Sequence, residues 1–325
     1  MSKIALRNKL SKLNRLRDVN WRRLMISTLG VVALLGGLWY AIWGLHPYQV
    51  DQQQIAVAYA HQQSAGDSVA VTMNVEQEAK NQFAFTYTSF DGAIVNGRMV
   101  YPEHTEPGQA LPVMLGVHAM GRSENRWWMD SFKDRPTLEQ TDKLTQQALA
   151  NGYAVIAIDS RNHGKRKNLD HNIIKVMNDL HWWGKREPYE QMVIDTVKDY
   201  RVLLDWLEQQ PQFDATKTSV AGYSMGGQVS LLLAGVDERI ERVLSIVPPY
   251  LDDKVAIVAP KNILGNLAHL DKLWLVSAND DEHASESENA ELYALIGTKN
   301  KKHLRFEGGH VLPTGYYQQL SDWYQ

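Results

Sequence analysis

The chain contains no cysteine. That absence removes disulfides, thiolate metal sites and a cysteine nucleophile from consideration. An excess of one charge is missing too: 34 Lys and Arg stand against 37 Asp and Glu, a formal net charge of −3. Nothing therefore marks a nucleic acid or another polyanion as partner. The histidines show no H-E-x-x-H or similar spacing, and His118, His163, His171 and His181 fall on separate irregular segments. No metal site is expected from them. There is no internal repeat. What remains, 44% apolar and 22% charged residues over 325 positions, is the composition of a folded protein.

Charge is absent altogether from Leu24 to Leu45. As a helix rising about 1.5 Å per residue this run reaches roughly 33 Å, against about 30 Å for a hydrocarbon core. Trp39, Tyr40 and Trp43 cluster near its end, as interfacial aromatics do. Before it come Lys3, Arg7, Lys9, Lys12, Arg15, Arg17, Arg22 and Arg23 against Asp18; after it, His46 to Gln63 carries only Asp51. This asymmetry predicts residues 1–23 as a basic cytoplasmic tail and 24–45 as a transmembrane anchor. The remainder then lies outside the cytoplasmic membrane, in the periplasm of a Gram-negative cell. A cleaved secretory signal would have a shorter apolar run with a small-x-small site close behind it. Ala58-Tyr59-Ala60 fits that pattern but lies well past the apolar end, so an uncleaved signal-anchor is expected.

Residues 46–81, rich in Gln, Ala and Ser, read as a juxtamembrane linker that enters a first strand at Val69-Ala70-Val71. One domain is expected over 82–325. Phe83 to Tyr101 reads as a hairpin turning at Asp91-Gly92. Strands then alternate with helices. Leu111–Val117, Tyr153–Ile158, a strand ending at Ala221, Arg242–Val247, Leu273–Ala278 and His303–Phe306 are apolar runs. Thr137–Ala150 and Tyr189–Gln209 carry helical periodicity. This alternation predicts an α/β fold with a mostly parallel central sheet flanked by helices; about 240 residues suit one such domain.

Between the strand at Thr218–Ala221 and the apolar run from Val229 lies Gly222-Tyr223-Ser224-Met225-Gly226, followed by Gly227. A G-x-S-x-G between strand and helix is the nucleophile elbow, a turn that lifts the serine hydroxyl off the sheet edge. A serine nucleophile needs a base, a carboxylate to orient that base, and N–H donors for the developing oxyanion. Downstream, the strand Leu273–Ala278 empties into Asn279-Asp280-Asp281-Glu282, and Phe306-Glu307-Gly308-Gly309-His310 sets a histidine in a glycine loop after the last strand. Carboxylates at a strand's C-terminal end lie on the functional edge of an open parallel sheet.

These segments, with Asp159-Ser160-Arg161-Asn162-His163-Gly164, resemble a serine hydrolase of the α/β-hydrolase superfamily. The likeness is to the dienelactone hydrolase, acetyl-xylan esterase and prolyl oligopeptidase-like branches, over roughly Phe83 to the C-terminus. The resemblance implies a triad of Ser224, Asp281 and His310, with the family's G-x-x-D turn favouring Asp281 over Asp280. It implies an oxyanion hole of the Met225 N–H and, from His118-Ala119-Met120-Gly121, the Met120 N–H, with Ala119 as the alternative. Asn162 and Ala119 stand where the family has glycine. His118 and His163 read as members of their loops, with His118 also a candidate against substrate.

Two insertions flank the expected pocket. Arg122–Pro136 holds Trp127 and Trp128; Lys165–Pro188 holds Trp182 and Trp183. The indoles either line a cap over the substrate or pack that cap onto the domain. Tyr250, after Pro248-Pro249, is a third candidate wall. The expected activity is hydrolysis of a small or medium carboxylic ester through an acyl-serine, without a cofactor. A prolyl oligopeptidase-like peptidase or amidase, and a binding protein on a hydrolase fold, are the alternatives. Oligomeric state is not legible.

Overall fold

The computed structural model describes residues 3–61, 71–104 and 108–325. It divides into two compact units, Met1–Leu45 with Asn178–Lys185, and His46–Met177 with Arg186–Gln325. In the first, helix α1 runs over Lys3–Trp43. Its stretch Arg23–Trp43 is long and apolar enough to cross a membrane.

The second unit is built on a sheet. Its strands are β1 (Met73–Ala79), β2 (Gln82–Thr88), β3 (Ile94–Val100), β4 (Leu111–Val117), β7 (Ala154–Ile158), β8 (Phe213–Tyr223), β9 (Ile240–Ile246), β10 (Lys272–Ala278) and β11 (Lys301–Phe306). A separate ribbon pairs β5 (Ser131–Phe132) with β6 (Arg135–Pro136). The helices are α2 (Gln52–Tyr59), α3 (Thr141–Ala150), α4 (Ile173–Trp183, which runs on into the first unit), α5 (Glu187–Leu207), α6 (Met225–Val236) and α7 (Glu286–Leu295). The sheet order is β1-β2-β3-β7-β4-β8-β9-β10-β11. The pairs from β1 to β7 are antiparallel, and those from β7 through β11 are parallel.

The expected hairpin is present, with Phe85 opposite Gly97, and each expected strand is found within three residues of its predicted start or end where both were given. Segment 46–81 contributes more than a tether. Asp51 and Gln54 form a reciprocal capping box that starts α2, and Ile55 and Tyr59 are buried. The expected entry at Val69-Ala70 lies outside the described residues; β1 begins at Met73. Helix α7 likewise opens on a capping box, Ser285 with Glu288.

Alternate side chains of the central strands go to opposite faces. Ala221, Tyr223, Leu244, Ile246, Val276 and Ala278 join one core with Leu144 and Ala148 of α3 and Leu320 and Trp323 near the C-terminus. Val220, Val243 and Leu275 are buried on the other face. Helix α6 packs there on β8 and β9, beside α5. The chain leaves β4 for β7 on one side and returns to β8 on the other, so β4 and β8 flank a topological switch point where open α/β sheets hold their ligands.

Trp127 is fully buried in the first core, against the strand residue Gly116. A Cβ on Gly116 would stand 2.5 Å from the Trp127 ring. Gly116→Ala should therefore overpack this contact and cost about 1–3 kcal/mol, read as a lowered denaturation midpoint; an unchanged midpoint contradicts the packing.

Candidate active site

Ser224 follows the last residue of β8 and caps the N-terminus of α6, with φ 57° and ψ −120°. A positive φ is costly for a residue with a side chain and persists only where its surroundings impose it. Here the Ser224 N–H donates to Ile246 O at 2.8 Å, tying the turn to β9. The neighbouring glycines permit the turn by close approach. A Cβ on Gly222 would lie 2.6 Å from Ser230 Oγ of α6, and one on Gly226 would lie 3.0 Å from His118 O.

Met225 is the first helical residue of α6. Its N–H is among those a helix leaves without an internal partner, at the positive end of the dipole. Across from it, the loop after β4 is held by His118, which is 1% exposed. His118 Nε2 accepts from the Ser160 N–H at 3.0 Å, so Nδ1 carries the proton and donates to Ala119 O at 2.8 Å. The Arg122 N–H donates to the same carbonyl at 3.1 Å. In a planar trans peptide the Met120 N–H must point away from that clamped oxygen. His118 thus orients the Met120 amide and is itself closed to ligand. Burial, with His163 5.2 Å away ring to ring, pushes the His118 pKa down to about 3.

The structure brings the three expected side chains together. Ser224 Oγ lies 2.7 Å from His310 Nε2, and His310 Nδ1 lies 3.0 Å from both carboxylate oxygens of Asp281. Asp281 is 7% exposed and also accepts the His283 N–H at 2.8 Å. Asp281 rather than Asp280 faces the imidazole; Asp280 meets the histidine loop through its backbone N–H, which donates to Gly308 O. Residues to which the sequence alone assigns no part in holding the histidine keep His310 in place. The Tyr223 hydroxyl donates to His310 O at 2.9 Å and accepts the Leu312 N–H at 3.1 Å. Glu282 accepts the His310 N–H at 3.2 Å. His283 packs edge-on to His310 at 4.5 Å. Tyr223 sits inside the G-x-S-x-G signature, which was the one signal available for it.

Behind the site, buried Asp159 accepts from Asn96 Nδ2, the Glu124 N–H and the Lys165 N–H at 2.7–2.9 Å. Asn162 adopts φ 61°, a left-handed conformation that asparagine tolerates better than most residues. This accounts for its standing in a glycine position. Arg161 and Arg166 both reach the fully buried Asp199 of α5 at 2.7 Å, fastening this loop to the helix.

The candidate substrate walls divide. Trp127 is core, as above, so its expected place against substrate is corrected to packing. Trp128 is partly buried and donates from Nε1 to Glu124 at 2.6 Å; burial lifts the Glu124 pKa to about 7. Trp182 and Trp183 belong to the other compact unit, where they meet Trp39 and Trp43. Tyr250 bonds Glu291 of α7 at 3.0 Å, and its N–H donates to His283 O. Two cavities flank the β5–β6 ribbon and share Pro136 and Leu138. One, of about 750 Å³, is lined by Gln140, Val311, Leu312 and Tyr317 just past His310. The other, of about 510 Å³, is lined by Arg122, Arg126, Lys133 and Arg135. Among the described residues no group of three His, Cys, Asp or Glu side chains is placed to hold a metal ion.

Residues 114–313 match the model of the alpha/beta hydrolase family. That stretch is more than half of the chain, and the chain belongs to the α/β-hydrolase family. A thiohydrolase of Aspergillus aculeatus is 22% identical over 176 residues, 54% of this chain and 44% of that protein; the match spans less than half of the relative's length. Among solved structures, acetyl xylan esterase 1 of Thermoanaerobacterium sp. superposes at a TM-score of 0.63 with 15% identity. That match covers 85% of this chain and 98% of that one. A cold-adapted esterase from an Arctic intertidal metagenomic library superposes at 0.57 with 17% identity over 78% and 97%. A glucuronoyl esterase of Solibacter usitatus gives 0.57 with 14% identity over 84% and 90%. These likenesses establish a shared fold.

The buried neutral imidazole predicts a pH dependence. Its folded pKa, about 3, lies below the unfolded 6.5, so the unfolded chain binds more protons between those values. This part of the stability is complete above pH 6.5 and is lost as pH falls toward 3. Thermal midpoints of the wild type should fall over that window, and His118→Asn should fall less steeply. Equal slopes contradict the assignment.

Proposed function

We propose that the chain is a membrane-anchored serine hydrolase that cleaves small or medium carboxylic esters. The observation that carries this reading is the Ser224–His310–Asp281 relay, with Oγ 2.7 Å from Nε2. His310 Nδ1–H donates to Asp281, which leaves Nε2 free to accept. Nε2 takes the Ser224 proton as Oγ attacks the ester carbonyl. The new oxyanion faces the Met225 and Met120 N–H groups, fixed dipoles that need not reorganise as charge develops. The imidazolium then protonates the departing alcohol, leaving an acyl-Ser224. Water, deprotonated by the same Nε2, hydrolyses that ester and returns Ser224 its proton. The cavity lined by Val311 and Leu312, the two residues after His310, is the candidate place for one part of the ester. Partly buried Trp128 and Tyr250 are held by Glu124 and Glu291, so any substrate contact they make is at the rim. Helix α1, with its basic N-terminal flank, supports a single-pass anchor that keeps the N-terminus cytoplasmic and holds the hydrolase outside the cytoplasmic membrane.

A thioester is the second substrate class, favoured by the likeness to a thiohydrolase, and it passes through the same acyl-serine. Ser224→Ala should lower turnover of p-nitrophenyl acetate or butyrate roughly ten-thousand-fold or more while leaving the fold intact; hydrolysis at the wild-type rate refutes the reading. Because the chain has no cysteine, thiol release from an acyl thioester can be followed with a disulfide reagent free of protein background. An acyl-length series in both ester and thioester form then decides between the two classes.

A further inference from the structure

Helix α4 ends inside the compact unit that contains the apolar helix, and the way it ends is specific. Trp182 packs on Trp39 at 6.1 Å and Trp183 on Trp43 at 5.4 Å, both edge to face. The Trp39 Nε1–H donates to Trp182 O at 3.1 Å. Gly184 follows at φ 61°, a left-handed helix stop, and presses on the Trp43 carbonyl. A Cβ there would collide with it, so only glycine lets the two backbones approach so closely. The Lys185 N–H closes the turn on Asp179 O at 2.9 Å. Despite this packing the indoles keep wide outer faces, 61% exposed at Trp182, 49% at Trp183 and 37% at Trp43, with Tyr40 51% exposed beside them.

Indole combines an apolar body with an N–H donor and settles at the boundary between headgroups and acyl chains. Trp39 and Trp43 occupy the far end of a helix long enough to span a membrane, which sets them at that boundary. Residues touching them must lie at the same depth. We propose that Asn178–Lys185 is a second membrane contact, an interfacial segment whose occupant is the phospholipid surface of the outer face. Its tryptophans extend the aromatic belt of the anchor rather than line a substrate pocket. The inference rests on the anchor reading given above.

The natural absence of cysteine makes the test direct. Single cysteines are placed in the full chain at Trp182, Trp183, Tyr40, Leu34 and Lys217, labelled with an environment-sensitive fluorophore, and the protein is reconstituted in phosphatidylcholine–phosphatidylglycerol vesicles. Lipid carrying a nitroxide near the headgroup should remove about half or more of the emission at 182 and 183, as at 40, and leave the water-exposed reference at 217 unquenched. A nitroxide at mid-chain should quench the label at 34. Emission at 182 and 183 that matches 217 while 34 is quenched overturns the proposal and leaves the anchor standing. An unquenched label at 34 refutes the anchor and the proposal with it. Lys185→Cys, which keeps both indoles, reports the same depth if the tryptophan variants misfold: quenching there supports the interfacial segment, and its absence overturns it.

Discussion

The site depends on one strained residue. Ser224 holds a positive φ at the junction of β8 and α6, a conformation that would relax if its surroundings allowed. They do not: Ile246 O holds its N–H, Gly222 abuts α6, and Gly226 abuts the end of β4. From that one turn follow the Oγ set against His310 Nε2, the Met225 N–H without a helix partner at the start of α6, and the closeness of the β4 loop. The energetic cost of the turn, of order 1–3 kcal/mol for such a backbone, is borne by the buried strands on either side.

Around this turn the remaining groups are positioned mainly by hydrogen bonds to backbone. Tyr223, next to the serine, holds both the His310 carbonyl and the Leu312 amide, so the His310 loop is fixed to the residue beside Ser224. His118 remains neutral because it is buried, and its fixed tautomer clamps Ala119 O and thereby aims the Met120 amide. Asp159 and Asp199 tie the loop behind it to β3 and α5. The result is a site whose side chains and loops are held in place before a substrate arrives, with the Met225 N–H left without a helix partner, the condition under which fixed dipoles stabilise developing charge most effectively.

The sheet and the three side chains at its edge were legible because each rests on a local signal. Each signal is contained within its own few residues of sequence: an apolar run of strand length, a glycine-flanked serine, a carboxylate or a histidine just past a strand end. What escaped was decided by contacts distant in sequence. Helix α2 hides in a Gln- and Ala-rich stretch with no clear periodicity, and its capping box is two residues among many polar ones. Trp127 resembled a pocket indole because nothing in its own segment shows the bare Gly116 that accepts it. Trp182 and Trp183 resembled cap residues because their partners lie about 140 positions earlier, at Trp39 and Trp43. The choice of Asp281 over Asp280, by contrast, followed from the family's turn pattern, and Asp281 is the carboxylate set against the imidazole.

The central claim is that Ser224 is a nucleophile activated in place by His310. It is tested most directly by treating the folded full chain with a fluorophosphonate probe and locating the adduct by mass spectrometry. The account predicts one phosphonylated residue, Ser224, with labelling that is lost in His310→Ala. No adduct on folded protein, or an adduct on another residue, contradicts it.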